Sequence, residues 1–225
     1  MNENITELVF ILDRSGSMGG LESDTIGGYN AVLAKHRAAE GQAFVTTILF
    51  DNEIETLHDR IELAKVADLT AKDYWVRGCT ALLDAVGSTI RHIEKVQGYL
   101  PEDHKPGHTI FVITTDGYEN ASRKFSRAQV KEMIQGKKNA GWEFLFLGAN
   151  IDAVAEAGSL GIDADRAVTY VADEQGTDVM YGAVAEATVC MRSMPAPVPG
   201  SGGKRMGGKW KKSVEADTAA RGSHK

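Results

Sequence analysis

Asp13, Ser15 and Ser17 alternate along VFILDRSGSMGG, residues 9–20, directly after a run of adjacent apolar residues. Such a run suits a strand covered on both faces, and a short extended piece beyond it can turn oxygen-bearing side chains towards one point. Gly16 and Gly19 relax the backbone around them. Two other stretches repeat the theme. In FVITTDGYEN, residues 111–120, Asp116 again follows a buried-strand signature, and in RGCTALLDAV, residues 77–86, Thr80 stands after Gly78 at the mouth of a helical pattern. Read by itself, Thr80 is a helix N-cap, a position that Thr serves well. Together, two carboxylates and three hydroxyls without His or Cys form a hard oxygen shell. That shell suits magnesium, manganese or calcium, whereas zinc prefers nitrogen and sulfur.

The elements that must position these residues follow from periodicity. Adjacent apolar residues recur at 7–12, 45–50, 109–114 and 144–147, and a last short strand is expected at 167–171. Between them the period becomes helical: Ile26, Tyr29 and Leu33, then Leu83, Val86, Ile90 and Ile93, each form one apolar stripe. Val130, Met133 and Ile134 mark a third helix, Ile151, Val154 and Ala155 a short fourth, and Tyr181, Val184, Ala185 and Thr188 a fifth. Buried strands alternating with amphipathic helices predict an α/β fold with a doubly wound, mostly parallel sheet and helices on both faces. Residues 50–57 depart from this, with a turn signal and then apolar–polar alternation, which predicts a hairpin to an antiparallel edge strand. In doubly wound sheets, ligands bind outside the carboxyl ends of strands where the strand order reverses. Asp13 and Asp116 are therefore expected to face each other across a crevice.

The motifs D-R-S-G-S at 13–17, Thr80 within G-C-T-A-L and Asp116 within T-T-D-G come in a telling order, about 65 and 36 residues apart. They resemble the metal ion-dependent adhesion site (MIDAS) of von Willebrand factor type A (VWA) domains of the bacterial, intracellular type, over roughly residues 5–192. The resemblance implies a Rossmann-like VWA fold. It also implies that Ser15 and Ser17 bind the ion directly, Thr80 directly or through water, and Asp13 and Asp116 largely through water. Neutral hydroxyl ligands would leave the cation a strong field for an incoming carboxylate, which a shell of anions would quench. The implied function is a non-enzymatic, cation-dependent adaptor that captures a partner's Asp or Glu, with Mg2+ as cofactor and Mn2+ or Ca2+ as substitutes. An assembly linked to an AAA+ ATPase is the kind of partner the resemblance implies. Two rival readings stand beside it. A magnesium-dependent phosphohydrolase on a similar sheet would want D-x-D where this chain has Asp13-Arg14-Ser15, and a placed lysine that is not evident. Nucleic-acid binding would act through the basic tail.

The neighbouring residues have blander readings. Arg14 and Arg77 read as solvated loop arginines, Glu119 and Asn120 as a polar turn, and the acids of FDNEIE, residues 50–55, as an exposed hairpin turn rather than a second cation site. Cys79 reads as a small buried residue, Asp84 as an acid favoured near a helix N-terminus, and Asp173 as a residue near a helix cap. Gly27-Gly28 lacks phosphate-loop spacing and reads as close packing or a kink.

The formal net charge of −6 is uneven: residues 193–225 hold seven Lys or Arg against Glu215 and Asp217, a net +5, which leaves −11 on the rest. Pro195, Pro197 and Pro199 precede a glycine-rich run, so the expected organisation is a VWA domain at 1–193 and a flexible basic tail at 194–225. No apolar run approaches the roughly 20 residues of a membrane span, and MNENITE lacks the features of a secretory signal. A cytoplasmic protein with no membrane partner is expected, with Cys79 and Cys190 as free thiols.

Overall fold

The computed structural model describes residues 1–198, 200 and 206–222. One sheet contains β1 (Asn2–Asp13), β2 (Gln42–Phe50), β3 (Ile54–Glu62), β4 (Pro106–Thr115), β5 (Glu143–Ala149) and β6 (Ala167–Tyr170). Its order is β3-β2-β1-β4-β5-β6, with every neighbouring pair parallel except the β2/β3 hairpin. The helices are α1 (Glu22–Arg37), α2 (Leu82–Tyr99), α3 (Arg127–Asn139), α4 (Ala153–Ser159), α5 (Glu174–Ser193) and α6 (Lys212–Gly222). This is the doubly wound sheet with one antiparallel edge strand that the sequence predicts.

The pleat sorts β1 between two cores. Leu8, Phe10 and Leu12 join Tyr29, Val32 and Leu33 of α1 and Met180, Tyr181 and Val184 of α5 on one face. Val9 and Ile11 join Val86 and Ile90 of α2, Val130 and Ile134 of α3 and Ala157 of α4 on the other. Both faces being covered is why the apolar residues run adjacent rather than alternate. Each fully buried Leu, Ile or Phe here stabilises the fold by about 1.5–3 kcal/mol. Gly28 shows how tightly α1 meets α5, since a Cβ there would lie 2.0 Å from Tyr181 Cδ2. Gly27 faces open space, so close packing belongs to Gly28 alone.

The chain leaves β1 for β2 on one side and later returns to β4 on the other, so the carboxyl ends of β1 and β4 lie together, Leu12 opposite Thr114. That reversal is the switch point at which a site is expected.

The tail departs from expectation. Its described part, residues 206–222, folds back as a 3-10 turn (Gly208–Lys211) and α6, packed on α5 and β6. Val214 is buried in the α1/α5-side core, with Met206 and Trp210 packed against it. Trp210 Nε1 donates to Asp165 O (2.9 Å), Lys211 Nζ to Ala164 O and Ala167 O, and Thr218 Oγ1 to Thr169 O (3.2 Å). The folded part therefore does not stop at 193. Met206, Trp210 and Val214 recur every four residues, an apolar set spread over a bend, the 3-10 turn and α6 and obscured by the surrounding Gly and Lys. Lys204, Arg205 and Lys225 lie outside the described residues. Among the described residues no helix is long and apolar enough to cross a membrane.

Candidate metal centre

Asp13 ends β1 fully buried, and both its oxygens are engaged. Oδ1 accepts Ser15 N–H (2.7 Å) and Oδ2 accepts Thr115 Oγ1–H (2.6 Å) from β4. The first bond bends the loop so that Ser15 and Ser17 turn to one side. Their hydroxyls lie 3.0 Å apart, and Thr80 Oγ1 donates to Ser15 Oγ at 3.0 Å. Asp116 follows β4, is 5% exposed, and leaves its buried Oδ1 with no hydrogen-bond partner. Beside it, a Cβ on Gly117 would sit 3.1 Å from both Ser17 Oγ and Thr80 Oγ1. The five residues singled out by the sequence thus converge on one point.

Electrostatics favour a cation there. Burial pushes the Asp13 carboxyl up to about 6, against the Thr115 and Ser15 hydrogen bonds, and repulsion from Asp116 adds to the rise. Burial also raises Asp116, against hydrogen bonds from Ser17 and Asn150. Two carboxylates held above their ordinary range are relieved by a positive charge between them. Among the described residues no group of three or more His, Cys, Asp or Glu can hold an ion, so a cation here rests on hydroxyls and two carboxylates. The donor set fits a hard divalent ion: oxygen only, one buried carboxylate oxygen unmatched, and three hydroxyls already in contact.

Thr80 is delivered by residues 63–81, an irregular connection clamped over α1. Leu63, Val66, Leu69 and Tyr74 are buried, and Asn30 brackets Leu69 with two hydrogen bonds. Tyr74 Oη–H donates to Asp13 O, and Gly16 N–H donates to Gly78 O (3.1 Å). Gly78 has φ +67°, and a Cβ would lie 2.0 Å from Asn52 Oδ1, so glycine is required on both counts. Thr80 is not the N-cap. Ala81 holds that place without a side-chain bond, while Glu119 Oε2 accepts Leu83 N–H (2.9 Å) and Asn120 Oδ1 accepts Thr80 N–H (2.9 Å). These two residues, read from sequence as a polar turn, leave the Thr80 hydroxyl free to face Ser15. Asp84 likewise does more than sit at a helix start, accepting the N–H groups of Arg123, Lys124 and Phe125. With Thr80 standing where a cap is expected, nothing local in the sequence signalled that Glu119 and Asn120 serve the start of α2.

Arg14 overturns its reading as a solvated arginine. It is 0% exposed, donates from Nε to Asp51 Oδ2 (2.9 Å) and from Nη1 to Glu55 Oε2 (2.6 Å), and lies 5.5 Å over the Trp75 ring. Arg77 donates to the same Asp51 oxygen (2.7 Å) and to Glu53 Oε2 (2.8 Å). The FDNEIE acids are consequently arginine anchors. Burial acts to raise the Asp51 carboxyl, but bonds from Arg77, Glu53 N–H and Arg14 outweigh it and hold the group below its ordinary value. Cys79 is exposed rather than buried. Asp173 caps α5, accepting Gly176 N–H at 2.8 Å.

No protein-family model matches the sequence, and no curated protein matches it. Solved structures do. Proximal thread matrix protein 1 from the mussel byssus, solved with a zinc-occupied MIDAS motif, is 11% identical at TM-score 0.57, covering 82% of this chain and 46% of that one. The ArnB paralog VWA2 from Sulfolobus acidocaldarius is 21% identical at TM-score 0.53, covering 83% and 45%. The vWF domain of the type V pili tip protein Mfa5 from Porphyromonas gingivalis is 12% identical at TM-score 0.57, covering 86% and 98%. The chain thus spans about half the length of the mussel and archaeal proteins and nearly all of the pilus domain. With its six-stranded sheet, its antiparallel edge and these neighbours, the chain has the fold of von Willebrand factor type A domains.

Proposed function

We propose that the chain is a divalent-cation-dependent protein-binding module that captures a partner's Asp or Glu at the switch point between β1 and β4. The observation that carries this reading is Asp116 Oδ1, buried and unmatched beside three hydroxyls in mutual contact. Ser15, Ser17 and Thr80 would hold the ion, with Asp13 and Asp116 balancing its charge. When bound, the ion supplies an electropositive point with room for an external carboxylate. Asp13 fixes the loop through Ser15 N–H and Thr115, and Asn120 fixes Thr80 through its backbone. The oxygen-only donors support Mg2+, with Mn2+ or Ca2+ as substitutes. The zinc in the mussel protein's motif keeps zinc in the test as well.

Binding is preferred to catalysis because the motif D-R-S-G-S lacks the second acid that the D-x-D of a phosphohydrolase supplies. The cleft that opens from Ser17 and Asp116 is lined largely by acids and small residues, and Cys79 and Lys124 line the cavity on the other side. Lys211 and Arg221 of the tail are taken up in contacts within the chain, which favours a packing role over nucleic-acid binding. The adaptor role in a cytoplasmic, AAA+ ATPase-linked assembly is carried by the resemblance alone. Affinity capture with wild type and Asp13→Ala, each with Mg2+ and with EDTA, tests the reading. A partner retained only by wild type in Mg2+ supports it, and equal retention in all four samples sinks it.

A further inference from the structure

A cleft of about 570 Å³ runs from Ser17 and Asp116 to the first turns of α1 and α5. Its lining carries Asp24 of α1 with Asp173 and Glu174 at the start of α5, and no Lys, Arg or His. Asp116, whose buried Oδ1 is unmatched, is part of the same lining. Acids in a helix's first turn are ordinarily explained by the macrodipole, about half a positive charge at each N-terminus. Two such ends offset about one of the three rim carboxylates and Arg221 a second, so about one negative charge remains, shared by Asp24 and Glu174. Arg221 of α6 already donates to both Asp173 oxygens, a guanidinium that the chain itself brings to this rim. Among the described residues Asp24 and Glu174 form no ion pair, and Asp24 accepts from Ser23 Oγ at 3.2 Å.

The other side of the site has the opposite sign. The cavity beside Cys79 and Asn120 is lined by the exposed Arg123 and Lys124. The acids near them are already matched, Glu53 by Arg77 and Asp84 by three backbone N–H groups.

We infer that this face selects a docking segment in which a Lys or Arg stands within a few residues of the captured carboxylate, seated against Asp24 and Glu174. The inference rests on the carboxylate-capture reading above. A segment with acids on both sides of the captured one meets repulsion in the α1–α5 cleft, so the two signs fix the direction in which the segment lies. Exposed pairs each change affinity by a factor of only about 1.5 to 5, so the effect is on orientation and choice of partner more than on strength.

A displayed peptide library with one fixed Asp and random flanking positions, panned on the full chain in Mg2+ and in EDTA, provides the test. The expected Mg2+-dependent binders are enriched in Lys or Arg on one side of the Asp. The selected peptides bind the Asp24→Asn/Glu174→Gln variant about threefold to tenfold more weakly, with the difference shrinking in high salt. Mg2+-dependent binders whose flanks match the unselected library overturn this inference and leave carboxylate capture standing. Binders indifferent to EDTA overturn both. If the double variant melts early, Glu174→Gln alone, at an exposed position, serves for the same comparison.

Discussion

Arg14 and Ser15 are adjacent and both buried, yet their surroundings are opposites. Arg14 sits in a network of ion pairs in which it and Arg77 meet Asp51, Glu53 and Glu55 at the β2–β3 hairpin, so that each carboxylate has a guanidinium against it. Ser15 belongs to a cluster with two carboxylates, no cation, and a buried oxygen left over on Asp116. The matched network is scaffold: it ties the loop after β1 to the hairpin and to the connection that brings Thr80. The unmatched cluster is what that scaffold holds ready. Buried polar groups without partners are costly, and Arg14 Nη2 in the network lacks one as well, so the contrast lies in charge: carboxylates answered by guanidinium groups in one region, and two buried carboxylates with no cationic side chain against them in the other.

The comparison breaks most severely at Asp51. Asp51→Ala strands the buried Arg14 guanidinium, and urea unfolding is expected to show a loss of about 3–5 kcal/mol. Gly117→Ala acts on the other region only. Its Cβ crowds Ser17 and Thr80, so ion affinity measured calorimetrically falls about tenfold while the unfolding midpoint shifts little. Next comes pH, where the two regions have opposite signs. Asp51 is depressed when folded, so its contribution is present above the ordinary carboxylate range and is lost as pH falls through its folded value. Asp13 is raised from 3.8 to about 6, so without an ion its cost appears as pH rises through that window. In EDTA, Asp13→Asn is expected to be about 1–2 kcal/mol more stable than wild type at pH 7.5, a gap that closes below pH 4. The difference between the two proteins isolates this slope from that of His36, which burial and Arg192 depress to about 3. Smallest is Trp75→Ala, which removes the ring under Arg14 and costs about 0.5–1 kcal/mol without changing ion affinity.

Much of this was legible in residue order. Adjacent apolar residues predict strands buried on both faces, and all five of the expected parallel strands and the antiparallel edge are present. Asp13 and Asp116 lie together because strand ends at a switch point are neighbours whatever their distance in sequence, and Ser15 and Ser17 follow Asp13, whereas Thr80 is brought in by the connection at 63–81. The matched network was not legible. Arg14 finds its partners 37 and 41 residues away, and nothing local distinguishes a buried, anchored arginine from a solvated one. Glu119 and Asn120 were hidden for a related reason, since their roles depend on the loop after β4 lying over the start of α2. In the tail, three apolar residues recurring every four residues were masked by composition, which averages away a set that only geometry brings together.

The central claim is that the unmatched cluster holds a divalent ion, and Mn2+ binding followed by electron paramagnetic resonance tests it most directly. The account predicts that wild type takes up one equivalent of Mn2+, that Mg2+ displaces it, and that Asp116→Ala takes up none while remaining folded. Equal uptake by wild type and Asp116→Ala would contradict it.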